Sequence, residues 1–427
     1  MRSRWIRLLP IMMVAYIIAF LDRTNIGFAI PYMGKDLALG STILGFASGV
    51  LFLGYALSMP FGGWLGDRGY ARSLVAVLLV TWGLVEISQA FVNNATQLVV
   101  IRFFLGLVEG GIFPVFLRMV RNWFSSSEQA RANGVWQLCY PIGAAIGSPI
   151  SGYLVAAFSW RGLFVVEGLF PIVWALIWLW GVADSPLRAR WLSGEERRAV
   201  AIRVRGGSEQ TDTDDEPDKF GSPLFRRQMR RPAIWLLIGG VVGWEVAFLA
   251  FVIWLPSVLK QHQGSLSPVA LGWLSSLPFI VSIVALLGLT RLADRTMKRR
   301  LVAVAAITVA GVMLIVGAVF SLPLWLSMVL LSIAACGIYG GHPVLWSIPS
   351  EMVPVRVHGI VLGVINGIGV IGAFAGPYVV GWARSLTGSF AAGLSTVGIC
   401  ALIAAGLLLA IRQHDMTDSP LATRAEV

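Results

Sequence analysis

The sequence predicts an all-α integral membrane protein of twelve transmembrane helices in two six-helix halves. Three observations carry that expectation. Of 427 residues 57% are hydrophobic and only 13% are charged, with a mean hydropathy of +0.77, whereas soluble domains carry about 25% charged residues. Apolar runs of about 20 residues, each long enough to cross a bilayer, recur along the chain. One long polar connection divides them six and six.

The runs fall at roughly 8–30, 44–65, 74–92, 98–119, 132–155, 161–182, 233–256, 270–290, 301–321, 324–347, 358–381 and 389–411. The start, MRSRWIRLLPIMMVAYIIAF, has the basic and apolar regions of a signal peptide. Its run continues past Asp22 and Arg23 without a small-residue cleavage site, so an uncleaved first helix is expected. Residues 1–182 then form an N-terminal six-helix half, 183–232 a cytoplasmic linker, and 233–427 the C-terminal half with its tail. In the linker, Ser193 stands three residues before Glu196, the capping-box spacing, which predicts a short amphipathic helix over SGEERRAVAIRV. The following GGSEQTDTDDEPDKFGS is too polar to bury a face. A repeat supports the division: Asp67-Arg68 recurs as Asp294-Arg295 at an offset of 227, and Arg131-Ala-Asn-Gly134 as Arg356-Val-His-Gly359 at an offset of 225. Each pair sits at equivalent connections of the two halves, as parallel repeats require.

The net charge of +11 would suit a nucleic-acid partner if the cations formed one face. Instead they lie in the gaps between apolar runs. Arg2, Arg4 and Arg7 precede the first run, Arg68 and Arg72 follow the second, Arg118, Arg121 and Arg131 surround the fourth connection, and Arg291, Arg295, Lys298, Arg299 and Arg300 crowd the eighth. Alternate loops such as NNATQ at 93–97 are uncharged. The positive-inside rule then places both termini in the cytoplasm, with the lipid bilayer, not nucleic acid, as the large partner. Cys139, Cys336 and Cys400 lie in separate apolar runs without metal-ligand spacing, so no metal site, disulfide framework or cofactor is expected.

The stretch with most chemistry is VVIRFFLGLVEGGIFPVF from Val99. It places Arg102 and Glu109 inside one apolar run, where each ionised group costs about 2.5–3.5 kcal/mol on insertion scales. Seven residues apart, they share one helix face at about 3.6 residues per turn, roughly 10 Å apart along the axis. Such a face is expected to point at a water-filled interior. The first run adds Asp22, Arg23 and Asn25 near its middle, giving this half two buried cations and two buried anions. They either pair off as structural salt bridges or divide the work of a carrier. In the second case the arginine forks bind an anionic substrate and a desolvated carboxyl takes and releases a proton.

In the C-terminal half the candidates are Glu245, which either snorkels toward Arg230 or Arg231 or serves transport, His342, read as packing, and Trp346 and Asn366. Tyr55, Tyr140 and Trp346 are the aromatics expected to line a cavity. Gly367, Gly369 and Gly372 have G-x-G-x-x-G spacing, but no strand–turn–helix context surrounds them, which excludes a dinucleotide site. Gly106 with Gly110, Gly143 with Gly147, and Gly372 with Gly376 read as close helix crossings.

Together these motifs resemble the major facilitator superfamily over nearly the whole chain. GWLGDRGYAR at 63–72 is similar to its loop motif between spans two and three, with Tyr70 and Ala71 in place of the usual Gly and Arg. That resemblance makes Gly63, Asp67, Arg68 and Arg72, with Asp294 and Arg295 in the repeat, a gating motif. RFFLGLVEGGIFP from Arg102 resembles the span-four motif linked with proton coupling. FLDRTNIGFA from Phe20, DSPLRARWLSGEER after span six and NGIGVIGAFAGPYVVG from Asn366 resemble the anion:cation symporters, bacterial carriers of sugar acids, tartrate, phthalate and related carboxylates. The resemblance implies Asp22 and Glu109 as proton sites, Arg23 and Arg102 near the substrate anion, and Tyr55, Trp346 and Asn366 at the cavity. The expected function is proton-coupled import of a small organic anion by alternating access, in a chain that acts as a monomer. A proton-driven exporter and a membrane ligand sensor are the rival classes. An enzyme is not expected, since no nucleophile–base pair, metal cluster or phosphate loop is present in the sequence.

Overall fold

The computed structural model describes residues 2–66, 70–125, 128–129, 132, 135–136, 139–209, 220–262, 266–320 and 322–412. Among them every regular element is a helix, as lipid demands of a chain whose backbone polar groups must be satisfied internally. Eleven helices are long and apolar enough to cross a membrane. One of these, α6 (Cys139–Gly181), breaks at Ser159, where φ is 65° and ψ 179°. A left-handed φ at a non-glycine residue ends the helix and separates two arms, so the crossings number twelve. Asp36 fastens the break from the end of α1 (Arg2–Asp36), accepting a hydrogen bond from Trp160 Nε1 at 3.1 Å and pairing with Arg161.

Two compact units divide the chain. The first is drawn from Met1–Leu39, Val50–Asp214 and Ser267–Gly272, the second from Gly40–Gly49, Asp215–Leu266 and Trp273–Val427. The first unit takes in α1, α2 (Ser41–Gly66) from Val50 on, α3 (Ala71–Ser88), α4 (Ala95–Glu109), α5 (Ile112–Trp123) and α6, with α1 and α3 each packed on α6.

Glycines set the crossings that matter for the charged residues. A methyl group at Gly106 on α4 would run into the Leu51 carbonyl of α2, and one at Gly110 into the Tyr55 carbonyl. This brings Tyr55 beside the Arg102–Glu109 face. Gly143 and Gly147 on the first arm of α6 receive Phe20 and Leu21, which positions Asp22 and Arg23. Gly83 on α3 and Gly168 on the second arm of α6 lie backbone to backbone, one turn before Glu86 and directly after Glu167.

The linker helix α7 (Gly194–Glu209) opens with the reciprocal capping box read from the sequence. The Glu196 amide donates to Ser193 Oγ at 3.2 Å, and the Ser193 amide donates to Glu196 Oε2 at 3.2 Å. After α8 (Pro223–Met229) the second unit holds α9 (Pro232–His262), α10 (Pro268–Thr296), α11 (Arg299–Val319), α12 (Leu324–Met352), α13 (Val355–Thr387) and α14 (Phe390–Ala410). Gly372 and Gly376 of α13 face the Val242 and Val246 carbonyls of α9, so the G-x-G-x-x-G run is a helix-packing surface. His342 stacks on Trp244 at 4.8 Å between ring centroids, the packing role expected of it. Arg231 donates to Gln228 and to the Met352 carbonyl, while Glu245 lies half-buried against Gly369 and Gly372.

Candidate functional site

Seven of the residues singled out from sequence meet in the core of the first unit: Asp22, Arg23, Asn25, Tyr55, Arg102, Glu109 and Tyr140. Arg23 on α1 donates from Nε to Glu109 Oε1 at 2.5 Å, with both side chains buried. Its guanidinium lies over the Tyr55 ring at 4.7 Å and the Tyr16 ring at 5.3 Å, a cation–π clamp that desolvation strengthens. The Tyr16 and Tyr55 hydroxyls are 3.4 Å apart. Tyr140, half-buried, has its ring 5.7 Å from both Tyr16 and Phe20. An aromatic wall thus holds the Arg23 fork in one orientation.

Arg102 is fully buried and is arranged differently. Its Nη2 donates to Asn25 Oδ1 at 3.3 Å, while Nε and Nη1 have no hydrogen-bond partner. The charges acting on it belong to Glu86, Asp22, Glu109 and Glu167. Asp22 accepts from Trp82 Nε1 at 2.5 Å through Oδ2, and its Oδ1 is unpartnered. Glu109 Oε2 is likewise unpartnered.

The structure corrects the sequence reading here in two ways. The charges are not two against two: Glu86 on α3 and Glu167 on the second arm of α6 are also buried, at 1% and 3% exposure. Four carboxyls therefore face two guanidinium groups among the described residues. Asn25 joins them, donating both amide hydrogens, to Glu86 Oε1 at 2.7 Å and Glu167 Oε2 at 2.8 Å. Gln89 donates to the second Glu86 oxygen, and Ser151 Oγ to the second Glu167 oxygen at 2.9 Å. Secondly, the Arg102–Glu109 face does not open to water. Exposures of 0% and 1% bury it against neighbouring helices, and Glu109 pairs with Arg23 on another helix.

Trp346 and Asn366 belong to the second unit, on α12 and α13. Both are half-buried. A cavity of about 600 Å³ in that unit, lined by Ala285, Leu289, Val302, Ala306, Ile333 and Cys336, is apolar and contains neither residue.

Of the gating motif, Asp67 and Arg68 lie outside the described residues, as do Arg131 and Gly134 of the repeat. Gly63 lies within α2. Arg72 ties the start of α3 to the end of α6, its amide donating to Asp184 Oδ1 at 2.8 Å and its Nε to the Leu179 carbonyl at 3.0 Å. In the second unit Asp294 meets Arg299 at 3.6 Å and Arg299 meets Glu351 at 3.1 Å, whereas Arg295 is exposed. Arg299, not Arg295, is thus the cation engaged there.

Membrane-spanning helices that bury ionisable side chains inside the first unit mark a membrane transport protein, because such groups are costly in lipid. The chain belongs to the Major Facilitator Superfamily, whose model matches residues 12–377. A protein provisionally named a tartrate transporter from Agrobacterium vitis is 30% identical over 417 residues, spanning 96% of this chain and 90% of its own length. The quinolone resistance transporter of Acinetobacter baumannii is 28% identical, over 96% and 93% of the two chains. Among solved structures, a bacterial homologue of the human lysosomal transporter Spinster, inward-facing and occupied, superposes with a TM-score of 0.77 at 15% identity. That match covers 98% of this chain and 96% of the other and bears on fold alone.

Proposed function

We propose that the chain is a proton-coupled symporter that imports a small organic anion, a carboxylate such as a sugar acid, tartrate or an aromatic acid, by alternating access. One observation carries the proposal. Arg102 is fully buried with two unpartnered guanidinium nitrogens, and in the same unit Arg23 is held by an ion pair with Glu109 that a proton can break. Protonation of Glu109 frees Arg23, and a substrate carboxylate then finds two planar forks. Asp22, with one free oxygen beside Trp82, is the second coupling carboxyl. Tyr55 and Tyr140 orient the anion, and Trp346 and Asn366 supply the contacts of the other half. Loss of the proton and substrate inside restores the Arg23–Glu109 pair and lets the empty carrier return.

The basic loops favour an inner membrane with both termini in the cytoplasm. Residues 1–182 and 233–427 are taken as the two moving halves of a monomer, and 183–232 as their linker. The A. vitis relative's printed name supports a carboxylate cargo. A second reading, outward proton-driven transport, is favoured by the name of the A. baumannii relative. Uptake of labelled tartrate, sugar acids and aromatic acids into proteoliposomes tests both. Accumulation that needs an inward proton gradient and collapses with a protonophore supports symport; loading of inverted vesicles with a quinolone supports export.

A further inference from the structure

We propose that Glu86, bridged to Glu167 through Asn25, holds a buried proton of its own, separate from those exchanged at Asp22 and Glu109. This proton sets how much of the Arg102 charge is left for a substrate anion. The first statement stands on the charge cluster alone; the second rests on the anion-carrier reading above.

Charge balance comes first. Arg23 is neutralised by Glu109 at 2.5 Å. That leaves Arg102 against Asp22, Glu86 and Glu167, one cation facing three acids in the interior of the first unit. A buried carboxylate without a counter-charge is far costlier than its protonated form. Two protons restore neutrality. Three acids share them, so the Glu86–Asn25–Glu167 bridge must hold at least one.

The hydrogen-bond partners assign it to Glu86. Both Glu167 oxygens already receive donors, from Asn25 and Ser151. Glu86 also receives two, from Asn25 and Gln89, but the Gln89 carbonyl oxygen is fully buried beside it with no partner. A half-turn of the Gln89 amide exchanges its donor for that orphan acceptor. Glu86 therefore has a matched partner in either state: N–H for the carboxylate, C=O for the acid. Asp22 from α1 and Arg102 from α4 act on Glu86 directly, and Glu167 reaches it through Asn25.

With Glu86 protonated, the unpartnered Nε and Nη1 of Arg102 face less negative charge and attract an incoming anion more strongly. When Glu86 gives up its proton, the cluster around Arg102 becomes net negative and the anion is released. Anion binding thus carries one proton more than Asp22 and Glu109 provide.

Infrared titration of the full chain in lipid tests the proton site without any substrate. A protonated-carboxyl band is expected at neutral pH, shifted by 13C-glutamate labelling, kept in Asp22→Asn, Glu109→Gln and Glu167→Gln, and lost in Glu86→Gln. A band that shifts with 13C-glutamate labelling and survives Glu86→Gln overturns the proposal. If Glu86→Gln does not fold, the labelled wild-type chain decides: absence of any glutamate carboxyl band at neutral pH overturns it, and presence supports it. With tartrate as probe, Glu86→Gln should remove a tenfold change in Kd per pH unit; an unchanged slope overturns the link to Arg102. A wild-type chain that binds neither tartrate nor sugar acids sinks the anion-carrier reading and leaves the infrared result standing.

Discussion

Arg23 and Glu109 are 86 residues apart in the chain and 2.5 Å apart in the structure. Each is on a different helix, and neither has water to fall back on. Removing one partner of a buried pair leaves an unpaired charge and costs about 3–5 kcal/mol. Neutralising it with a proton avoids that cost, which is why this pair suits a switch better than a strut.

Glu109→Gln should keep exchange of bound substrate across the membrane while losing net accumulation driven by a proton gradient. The amide retains a hydrogen-bond acceptor for Arg23 but cannot titrate. Counterflow and gradient-driven uptake, measured on the same vesicles, separate the two. Loss of both would make the pair structural.

Arg102→Ala should abolish anion binding. Truncating one partner of a buried, hydrogen-bonded charge pair costs about 2–5 kcal/mol, roughly 30-fold to several-thousand-fold in affinity. Arg102→Lys should restore little of it, since a lysine point charge lacks the planar fork. Titration with the transported acid checks this, and full binding by Arg102→Ala would remove Arg102 from the site.

Gly106→Leu should destabilise the first unit. The added side chain meets the Leu51 carbonyl, which belongs to helix backbone and cannot swing away. Overpacking costs about 1–3 kcal/mol or more. Thermal unfolding of the purified chain should show a lower midpoint, with Gly406→Leu, at a position with no neighbour in the way, as the control.

The capping box of α7 carries its own pH dependence. The Ser193 amide donates to the Glu196 carboxylate and holds it below the ordinary carboxylate range. A lowered native value means that the cap's contribution is complete above the ordinary carboxylate pKa and is lost as pH falls through the lowered one. Hydrogen exchange at the amides of 194–198 should accelerate in acid, and Ser193→Ala should bring that acceleration to neutral pH. Protection independent of both would contradict the cap.

The fold was legible because lipid leaves few options. Apolar runs located the crossings; the small-residue pairs at Gly106 and Gly372 became crossings with backbone in contact, and the pair at Gly143 receives the Phe20 and Leu21 side chains. The break at Ser159 falls in the gap read between the runs 132–155 and 161–182, although one helix runs up to it on each side without an intervening loop. In the site, Asp22, Arg23, Arg102 and Glu109 stood out as charges inside apolar runs. Glu86 and Glu167 carry that same signal, in TWGLVEISQAF and LFVVEGLF. The cations nearest them in sequence, Arg72 and Arg161, stand at the ends of their runs and engage Leu179 and Asp36 instead, so nothing local pointed to a partner. Partner choice was not legible either. Helical spacing reports which residues share a face, and the seven-residue spacing of Arg102 and Glu109 concealed that Glu109 pairs with Arg23 on α1.

Proton movement recorded together with substrate movement tests the central claim most directly. Proteoliposomes are placed in weakly buffered medium, a transported acid is added outside, and external pH and internal label are followed at once. Proton-coupled symport requires external alkalinisation that tracks uptake, vanishes in Glu109→Gln and is abolished by a protonophore. Uptake of the anion with no accompanying proton, in a wild-type chain that otherwise transports it, would contradict a role for the Arg23–Glu109 pair in coupling.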